Sequence, residues 1–274
     1  MYKAVVSDLD GTLLNEEHKV SPFTKKTIEL LLEKGIKFYI ATGRGYVGAK
    51  EIMDEIRLKI PLITSNGARI VDENGREIYV NNIEQKYVDK IFSIDYKSFD
   101  KGIILNGFSG NHWYVTEDAR DYFYAQKPNR KQYPEQIEQN DFEKLAFTKI
   151  FFLGEDHDEL LELENEIRKA VGDGNISLLF ANEGSLEVFS ANCNKAKAAE
   201  VLLERDGLTL KDAVSLGDGL NDYELITETG LGFAMGNSIY LLLEKLTDTE
   251  VIESNAEDGM AKKRTEEHTS ALQS

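Results

Sequence analysis

The sequence contains one cysteine, Cys193, and no long apolar segment. A single cysteine excludes an intramolecular disulfide and fits a reducing compartment, and we expect its thiol to be a small buried group rather than a catalytic one. No apolar run approaches the ~18–20 residues of a membrane span. The N-terminal residues lack the basic start, apolar stretch and cleavage site of a signal peptide. We therefore expect a cytoplasmic protein that does not enter a membrane.

Positive charge is also scarce, since 32 lysine and arginine residues stand against 49 aspartate and glutamate residues, for a formal net charge of -17. Such an acidic surface repels nucleic acids and anionic lipids, so neither is an expected partner. It also repels phosphorylated metabolites. A phosphate site in this protein must therefore carry local positive charge from a metal ion, a lysine or backbone amides. The sequence specifies no oligomeric state.

The first part of the chain alternates buried strands with helices. Its 274 residues, 41% of them hydrophobic and 30% charged, are typical of a globular protein with about two domains. The predicted elements are strands at Ala4–Ser7, Ile36–Ala41 and Pro61–Thr64, and helices from Ser21-Pro22 and over Gly45–Ile56. This alternation predicts a parallel sheet that is covered by helices.

A region of different character follows a predicted hairpin over residues 69–80. From about Asn82 to Glu183 helices and strands mix, and most of the aromatic residues lie there, which predicts an inserted α+β domain. The strand–helix alternation returns at Ser185, with a strand at Leu186–Ser190 and a helix at Lys195–Arg205. The sequence therefore predicts a sheet domain whose two parts are separated by the insertion.

Two carboxylates directly follow the first predicted strand, in the sequence Asp8-Leu9-Asp10-Gly11-Thr12. Because they lie two residues apart on a turn, both side chains point into one cleft, where their pKa values separate unless a cation lies between them. One carboxylate can then act as a nucleophile and the other as a proton donor. A calcium-binding or merely capping acidic turn is the alternative interpretation.

Two weaker signals are typical of phosphate binding. Thr42-Gly43 follows the second strand and offers a hydroxyl and amides at a helix start, although such a pair is usually only a cap and a turn. Lys195 opens a helix and can offset charge on a phosphate oxygen, although most lysines are solvated surface residues.

A fourth signal follows another buried strand at Ala213–Leu216. Here the sequence Gly217-Asp218-Gly219-Leu220-Asn221-Asp222 places two carboxylates and an amide where oxygen ligands for Mg²⁺ are expected. A glycine turn with Asn221 as a helix cap is the alternative. All four signals lie at or just beyond the carboxyl ends of predicted strands, where open α/β sheets bind ligands. Their combination predicts a single phosphate and metal site.

These sequences, DLDGTLL at Asp8, ATGR at Ala41, Lys195 and GDGLND at Gly217, together resemble the haloacid dehalogenase superfamily of phosphatases. The layout also resembles its Cof-type branch, in which a cap domain is inserted between the second and third motifs. Three further segments match that branch: SNGA at residues 65–68, FAMGN at 233–237 and SNAEDGMA at 254–261. Ala196 and Ser238 stand where glycine and alanine are common there.

The resemblance implies a Rossmann-like parallel-sheet core with helices on both faces, formed by residues 1–81 and 185–274, with an inserted α+β cap at 82–184. It also implies hydrolysis of small phosphorylated metabolites through a phosphorylated aspartate, with Mg²⁺ as the cofactor. The catalytic residues implied are Asp8 as nucleophile and Asp10 as general acid/base. The phosphate-binding residues implied are Thr42, Gly43, Lys195 and Asn221. The metal residues implied are Asp8, Asp10 through its backbone carbonyl, Asp218 and Asp222. Of these, Asp222 would support the metal site by holding the ligands in place.

Two other functions stay open at this point. A phosphotransferase such as a phosphomannomutase shares the core, as the resemblance implies, but returns the phosphoryl group to a sugar. A phosphometabolite-binding regulatory module needs no nucleophile and acid, which the intact Asp8 and Asp10 argue against. In the cap, candidates for substrate contact or packing are Trp113, Tyr114, Tyr122 and Tyr124.

Overall fold

A computed structural model describes residues 2–99, 102–117, 119, 122–123 and 133–263. Within these residues the chain divides into two compact units. The first takes in the described parts of 1–44, 48–79 and 194–274, and the second those of 45–47 and 80–193. No helix in this described part of the chain is both long and apolar enough to span a membrane. The cytoplasmic location stays a prediction.

The elements are numbered in chain order. The helices are α1 (Pro22–Glu33), α2 (Tyr46–Ile56), α3 (Gln85–Phe92), α4 (Gln139–Phe142), α5 (His157–Val171), α6 (Lys195–Arg205), α7 (Tyr223–Glu228) and α8 (Tyr240–Lys245). The strands are β1 (Ala4–Ser7), β2 (Lys37–Ala41), β3 (Leu62–Thr64), β4 (Arg69–Val71), β5 (Glu77–Val80), β6 (Ile103–Ser109), β7 (His112–Val115), β8 (Glu135–Gln136), β9 (Lys149–Gly154), β10 (Ile176–Asn182), β11 (Ser185–Ser190), β12 (Ala213–Gly217), β13 (Leu231–Ala234) and β14 (Glu250–Val251).

The sheet of the first unit is mostly parallel. Among the described residues its strand order is β14-β13-β12-β1-β2-β3-β4-β5, with β4 antiparallel to β3. Side chains of β1 alternate between its faces, and Ala4 and Val6 pack with side chains of β2 and of α6. On the other face Val5 is fully buried, and α1 contacts β2. A mainly parallel sheet with helices on both faces, as expected from the sequence, is confirmed.

Local chemistry explains where these elements begin. Helix α1 starts with Pro22 at its first position, and the Oγ atom of Ser21 accepts a hydrogen bond from the backbone N–H of Thr24 at 3.0 Å. Helix α6 is capped in the same way, because the Oδ1 atom of Asn194 accepts from the N–H of Lys197 at 2.8 Å. This cap fixes the position of Lys195, the first residue of α6.

The strand order positions the site. Strand β1 pairs in parallel with β2 on one side and with β12 on the other, so the strand order reverses direction at β1. Such a reversal opens a crevice at the carboxyl ends of the strands. The residues that follow these three strands at that edge are Asp8, Thr42 and Asp218.

The second unit contains a sheet of different construction. In its described residues the strand order is β10-β11-β9-β6-β7-β8, and all its pairs are antiparallel except β7 with β8. One face packs on α3 and α5 through a core that includes Val88, Leu105, Phe152, Leu163 and Val188. The mixed helices and strands predicted for this region are present.

One assignment from the sequence was wrong. The sequence predicts that the strand at Leu186–Ser190 belongs to the parallel sheet of the core, but β11 pairs antiparallel with β9 and β10 in the second unit. The reason is local, since Glu183-Gly184 forms a tight turn between β10 and β11, and such a hairpin keeps both strands in one sheet. Strand β11 is buried on both faces, which is equally typical of a parallel core strand.

Candidate active site

Lys195 is the centre of the site. Its side chain is only 1% exposed, and its Nζ atom donates hydrogen bonds to Oδ1 of Asp8 and to Oδ1 of Asp222, both at 2.6 Å. The surface position that is usual for a lysine therefore does not apply here. Burial alone would lower the pKa of Lys195, but the charges of Asp222 and Asp8 outweigh it and raise that pKa. The ammonium group is permanently charged beside the predicted nucleophile.

Asp222 links this lysine to the turn after β12. Its Oδ2 atom accepts hydrogen bonds from the backbone N–H groups of Asp218 and Gly219, both at 3.0 Å, while its Oδ1 atom accepts from Lys195. Asp222 is 1% exposed, so both carboxylate oxygens are engaged within the protein. This residue therefore shapes the turn that presents Asp218 and holds the lysine.

Asp218 is joined to the turn that follows β1. The hydroxyl of Thr12 donates to Oδ1 of Asp218 at 2.9 Å. Gly11, next to Thr12, has φ +78°, and a Cβ atom at this position would overlap the carboxylate of Asp218. Both the conformation and the close approach require glycine here. The two turns that carry the acidic residues thus pack directly against each other.

The cluster carries more negative than positive charge. One carboxylate oxygen from each of Asp8, Asp218 and Asp222 lies within 4.8 Å of the others. Burial raises the pKa of Asp8 well above its usual value, Lys195 opposes that effect, and the charges of Asp222 and Asp218 add to it. Burial and the charge of Asp222 raise the pKa of Asp218 to about 6. The site therefore holds these carboxylates at an energetic cost.

The donor set fits a hard cation such as Mg²⁺. Carboxylate oxygens are the ligands that this ion prefers, and three carboxylates around one lysine leave an excess of two negative charges when all are ionised. Asp8 and Asp218 have oxygens that are not engaged by the hydrogen bonds described above, whereas both oxygens of Asp222 are engaged. Asp8 and Asp218 are accordingly the side chains able to hold a metal directly.

Asp10 lies apart from that cluster and is paired with Arg44. The Nε atom of Arg44 donates to Oδ2 of Asp10 at 2.7 Å, and its Nη2 atom donates to Oδ1 at 2.5 Å. This two-point contact fixes the plane of the carboxyl group. Sequence pattern alone assigns no role to Arg44, although it is part of the ATGR sequence. An arginine beside two proposed phosphate ligands was the signal that could have identified it.

A second unassigned residue, Asn66, joins the phosphate-binding candidates. The Nδ2 atom of Asn221 donates to Oδ1 of Asn66 at 2.8 Å, and the same Oδ1 atom lies 3.0 Å from the position of a Cβ atom on Gly43. The backbone N–H of Asn66 also donates to the carbonyl of Thr42 at 3.0 Å. The structure therefore brings Thr42, Gly43 and Asn221 together around Asn66. The SNGA match to the Cof-type branch was the signal for it.

The comparisons with known proteins agree with this geometry. Residues 5–263 match the family model described as haloacid dehalogenase-like hydrolase, and the chain belongs to this family. A protein named "Putative phosphatase" from Buchnera aphidicola subsp. Baizongia pistaciae (strain Bp) is 39% identical over 264 residues, covering 95% of this chain and 96% of the relative. An HMP-PP phosphatase from Yersinia pestis is 29% identical over 261 residues, covering 95% and 93%.

A solved structure agrees with the fold along nearly the whole chain. The crystal structure of a haloacid dehalogenase-like hydrolase from Bacteroides thetaiotaomicron has a TM-score of 0.83 and 25% identity, covering 97% of this chain and 99% of that one. The enzyme class that the sequence indicated, a phosphatase of the haloacid dehalogenase family, is confirmed.

Proposed function

We propose that this phosphatase hydrolyses small phosphate monoesters, such as sugar phosphates or similar metabolites, in a magnesium-dependent reaction through a phosphorylated Asp8. The contact between Lys195 and Asp8 carries this proposal. A fully buried ammonium group lies 2.6 Å from a carboxylate at the end of the central strand, and it lowers the pKa of that carboxylate against the effect of burial and so favours its ionised, nucleophilic form. A relative named for HMP-PP is consistent with a small phosphorylated substrate.

In the first step an oxygen of Asp8 forms a bond to phosphorus while the bond from phosphorus to the ester oxygen breaks. Asp10 transfers its proton to that oxygen, which leaves as an alcohol. Arg44 fixes the plane of the Asp10 carboxyl group, and the oxygen that carries the proton gives up its hydrogen bond with the guanidinium for this transfer. In the second step a water oxygen attacks phosphorus and the bond to Asp8 breaks. Asp10 takes the proton of the water, so that inorganic phosphate and the original enzyme result.

The phosphoryl oxygens are bound by groups around the same edge. Thr42, Gly43 and Asn221 would supply a hydroxyl and amide donors, held in place by Asn66, while Lys195 would contribute positive charge. Asp8, Asp218 and the backbone carbonyl of Asp10 would hold Mg²⁺, with Asp222 behind them. When bound, the ion supplies positive charge that offsets the carboxylates and the phosphoryl group.

The first experiment detects the phosphorylated residue. The enzyme is mixed with an excess of ester and magnesium, quenched with acid within one turnover, digested, and examined by mass spectrometry. A phosphoryl group on the peptide that contains Asp8 is expected. Phosphate release without that peptide in any quench interval would contradict the covalent mechanism. The same quench with a sugar acceptor present separates a hydrolase from a phosphotransferase, because only a transferase passes the phosphoryl group from Asp8 to the sugar.

The second experiment concerns the proton. Asp10→Asn removes the proton donor, so alkyl phosphates, whose leaving groups need a proton, are expected to lose at least about 10²-fold in kcat/KM. Aryl phosphates leave more easily, and their first step is expected to lose less. Equal losses in first-step rates, measured by single-turnover kinetics, would contradict the role of Asp10. Arg44→Lys keeps the charge but loses the two-point contact, and a smaller loss of the same kind is expected.

We also propose that the second unit selects among esters. The structure places Trp113 and Tyr122 in a hydrophobic cluster with Val115, Ala119 and Phe123, and Tyr114 against the main core of that unit. Tyr124 lies outside the described residues. Alanine variants of Trp113, Tyr114 and Tyr122 are tested on an ester panel. If every active variant keeps the wild-type ranking, these aromatics do not select substrate and serve packing alone.

A further inference from the structure

The turn that carries Asp10 is irregular and is held from outside. Asp10 and Gly11 have non-helical backbone angles, with φ −84°, ψ 125° and φ 78°, ψ −3°. Within the turn, the backbone N–H of Leu14 donates to the carbonyl of Leu9 at 2.9 Å. The carbonyl groups of Gly11 and Leu14 are bound by side chains from outside the turn, so the conformation of the turn depends in part on those partners.

Two asparagines from the C-terminal part of the first unit bind these carbonyls. The Nδ2 atom of Asn237 donates to the carbonyl of Gly11 at 2.8 Å, and the Nδ2 atom of Asn255 donates to the carbonyl of Leu14 at 2.7 Å. The asparagines are also joined to each other, because the backbone N–H of Asn255 donates to Oδ1 of Asn237 at 2.9 Å. Together they form a continuous amide chain along one side of the turn.

Each asparagine lies on a loop that is attached elsewhere in the unit. Around Asn237, the N–H of Met235 donates to the carbonyl of Gly217 at 3.1 Å, and the N–H of Ile239 donates to the carbonyl of Asp218 at 3.0 Å. Asn237 therefore spans from the backbone beside Asp218 to the turn beside Asp10.

The loop of Asn255 is attached to α1. The carboxylate of Asp258 accepts hydrogen bonds from the hydroxyls of Ser21 at 2.6 Å and Thr24 at 2.8 Å. Both ends of the amide chain are thus anchored, which lets it resist movement of the turn.

We propose that Asn237 and Asn255 are positioning residues for the turn that carries Asp10. They act on the reaction through the placement of Asp10. This inference rests on the proposed role of Asp10 as the proton donor. Proton transfer requires a heavy-atom separation of about 2.6–3.2 Å, so a small displacement of the turn slows the step that depends on it. Neither asparagine needs to touch the substrate for this effect.

The test uses Asn237→Asp. This change keeps the size of the side chain and its acceptor for Asn255, but it replaces the donor to Gly11 by an oxygen that repels the carbonyl. We expect the first-step rate for an alkyl phosphate, measured by single-turnover kinetics, to fall about tenfold with KM little changed, and the first-step rate for an aryl phosphate to fall less than about twofold. Asn255→Asp, which loses the donor to Leu14 but keeps the bond to Asn237, is the second variant, with a smaller loss of the same kind.

Asn74→Asp is the matched control. Asn74 lies in the first unit, in the turn between β4 and β5, and its side-chain amide contacts Glu73 at 3.5 Å, away from the catalytic turn. We expect wild-type kinetics on both esters. Urea denaturation of all variants separates a loss of folded protein from a loss of activity per folded molecule.

The outcomes separate the inference from the proposed function. If Asp10→Asn lowers the single-turnover rates of alkyl and aryl esters equally, the role of Asp10 fails and the inference fails with it. If Asp10→Asn lowers the alkyl rate more, but both asparagine variants lower the two rates equally or lower neither, only the inference is overturned. Adding Asn237→Asp to Asp10→Asn is expected to cause no further loss, and an additive loss would place Asn237 outside this pathway.

Discussion

Among the described residues, each of the two units buries a lysine beside at least one carboxylate, but the charge around the two lysines is balanced differently. In the second unit Lys149 is 5% exposed and pairs with Glu187, which is 7% exposed, and its Nζ atom lies 4.9–5.6 Å from the rings of Phe108, Phe151 and Phe189. In the first unit Lys195 is shared by two carboxylates, and a third lies within the same cluster.

The two clusters differ in net charge, and this difference indicates different roles. Lys149 and Glu187 neutralise each other, and the aromatic faces add favourable contacts to the ammonium group. The pair therefore requires no additional ion to balance its charge. The cluster around Lys195 is left with excess negative charge, and burial together with this charge raises the pKa values of Asp8 and Asp218. A cation relieves an excess of buried negative charge. The cluster around Lys195 is therefore suited to a metal and an incoming phosphate.

The largest expected effect comes from Asp8→Asn, which removes the attacking oxygen from the unbalanced cluster. Turnover is expected to fall at least about 10³-fold, measured with saturating ester and magnesium. In chelator the same variant is expected to be more stable than wild type to urea, because a neutral amide relieves the repulsion from Asp222 and Asp218. Retained turnover would contradict the nucleophile, and a loss of stability would contradict the charge excess.

The balanced pair is tested by Lys149→Met. Glu187 is then left buried without its partner, so the free energy of unfolding is expected to fall by about 3–5 kcal/mol in urea denaturation. Replacing both residues, as in Lys149→Met with Glu187→Leu, removes the unpaired charge and is expected to recover most of that loss. If the double variant is no more stable than the single one, the pair has a role beyond neutralising its own charges.

Magnesium is expected to stabilise the protein through the cluster around Lys195 and not through the pair of Lys149 and Glu187. At a magnesium concentration of about 100 times Kd, the free energy of unfolding of wild-type protein is expected to rise by about 2.7 kcal/mol through binding to the folded state. Asp218→Asn removes a proposed ligand and is expected to reduce this increase. The double variant at Lys149 and Glu187 serves as control and is expected to keep it. Equal magnesium effects in all three proteins would place the ion elsewhere.

The smallest effect depends on pH. Asp218 has a usual pKa of 3.8, raised to about 6 in the folded protein, so the folded state holds a proton that the unfolded state releases between these values. The stability of the metal-free enzyme relative to Asp218→Asn is therefore lowest above pH 6 and rises as the pH falls toward 4. The expected change is about 2 kcal/mol, measured by urea denaturation in chelator at each pH. A difference that is independent of pH would contradict the raised pKa.

Much of the fold follows from local sequence signals. Strand β1 and helix α6 begin and end where the sequence predicts, because a buried β-branched run and an asparagine cap are local properties. The assignment of β11 failed because periodicity does not say which strand is the neighbour. Pairing depends on the tight turn at Glu183-Gly184, which brings β10 alongside.

The site shows the same division between local and distant information. The residue types at Asp8, Lys195 and Asp218 could be proposed because each follows a strand or opens a helix. Their hydrogen bonds could not, since a contact such as that between Arg44 and Asp10 depends on two loops that meet only in the folded sheet. The amide chain of Asn237 and Asn255 was missed for this reason, although both segments had been singled out as matches to the family.

The bond between Lys195 and Asp8 joins residues that are 187 positions apart in the chain, and the bond to Asp222 spans another 27. Closing so long a loop carries an entropic cost that local contacts cannot repay until β1 and β12 have paired. We therefore expect the active site to be among the last parts of the first unit to form during folding. We expect the recovery of phosphatase activity after dilution from denaturant to lag behind the recovery of helical signal, so that activity reports the completion of folding.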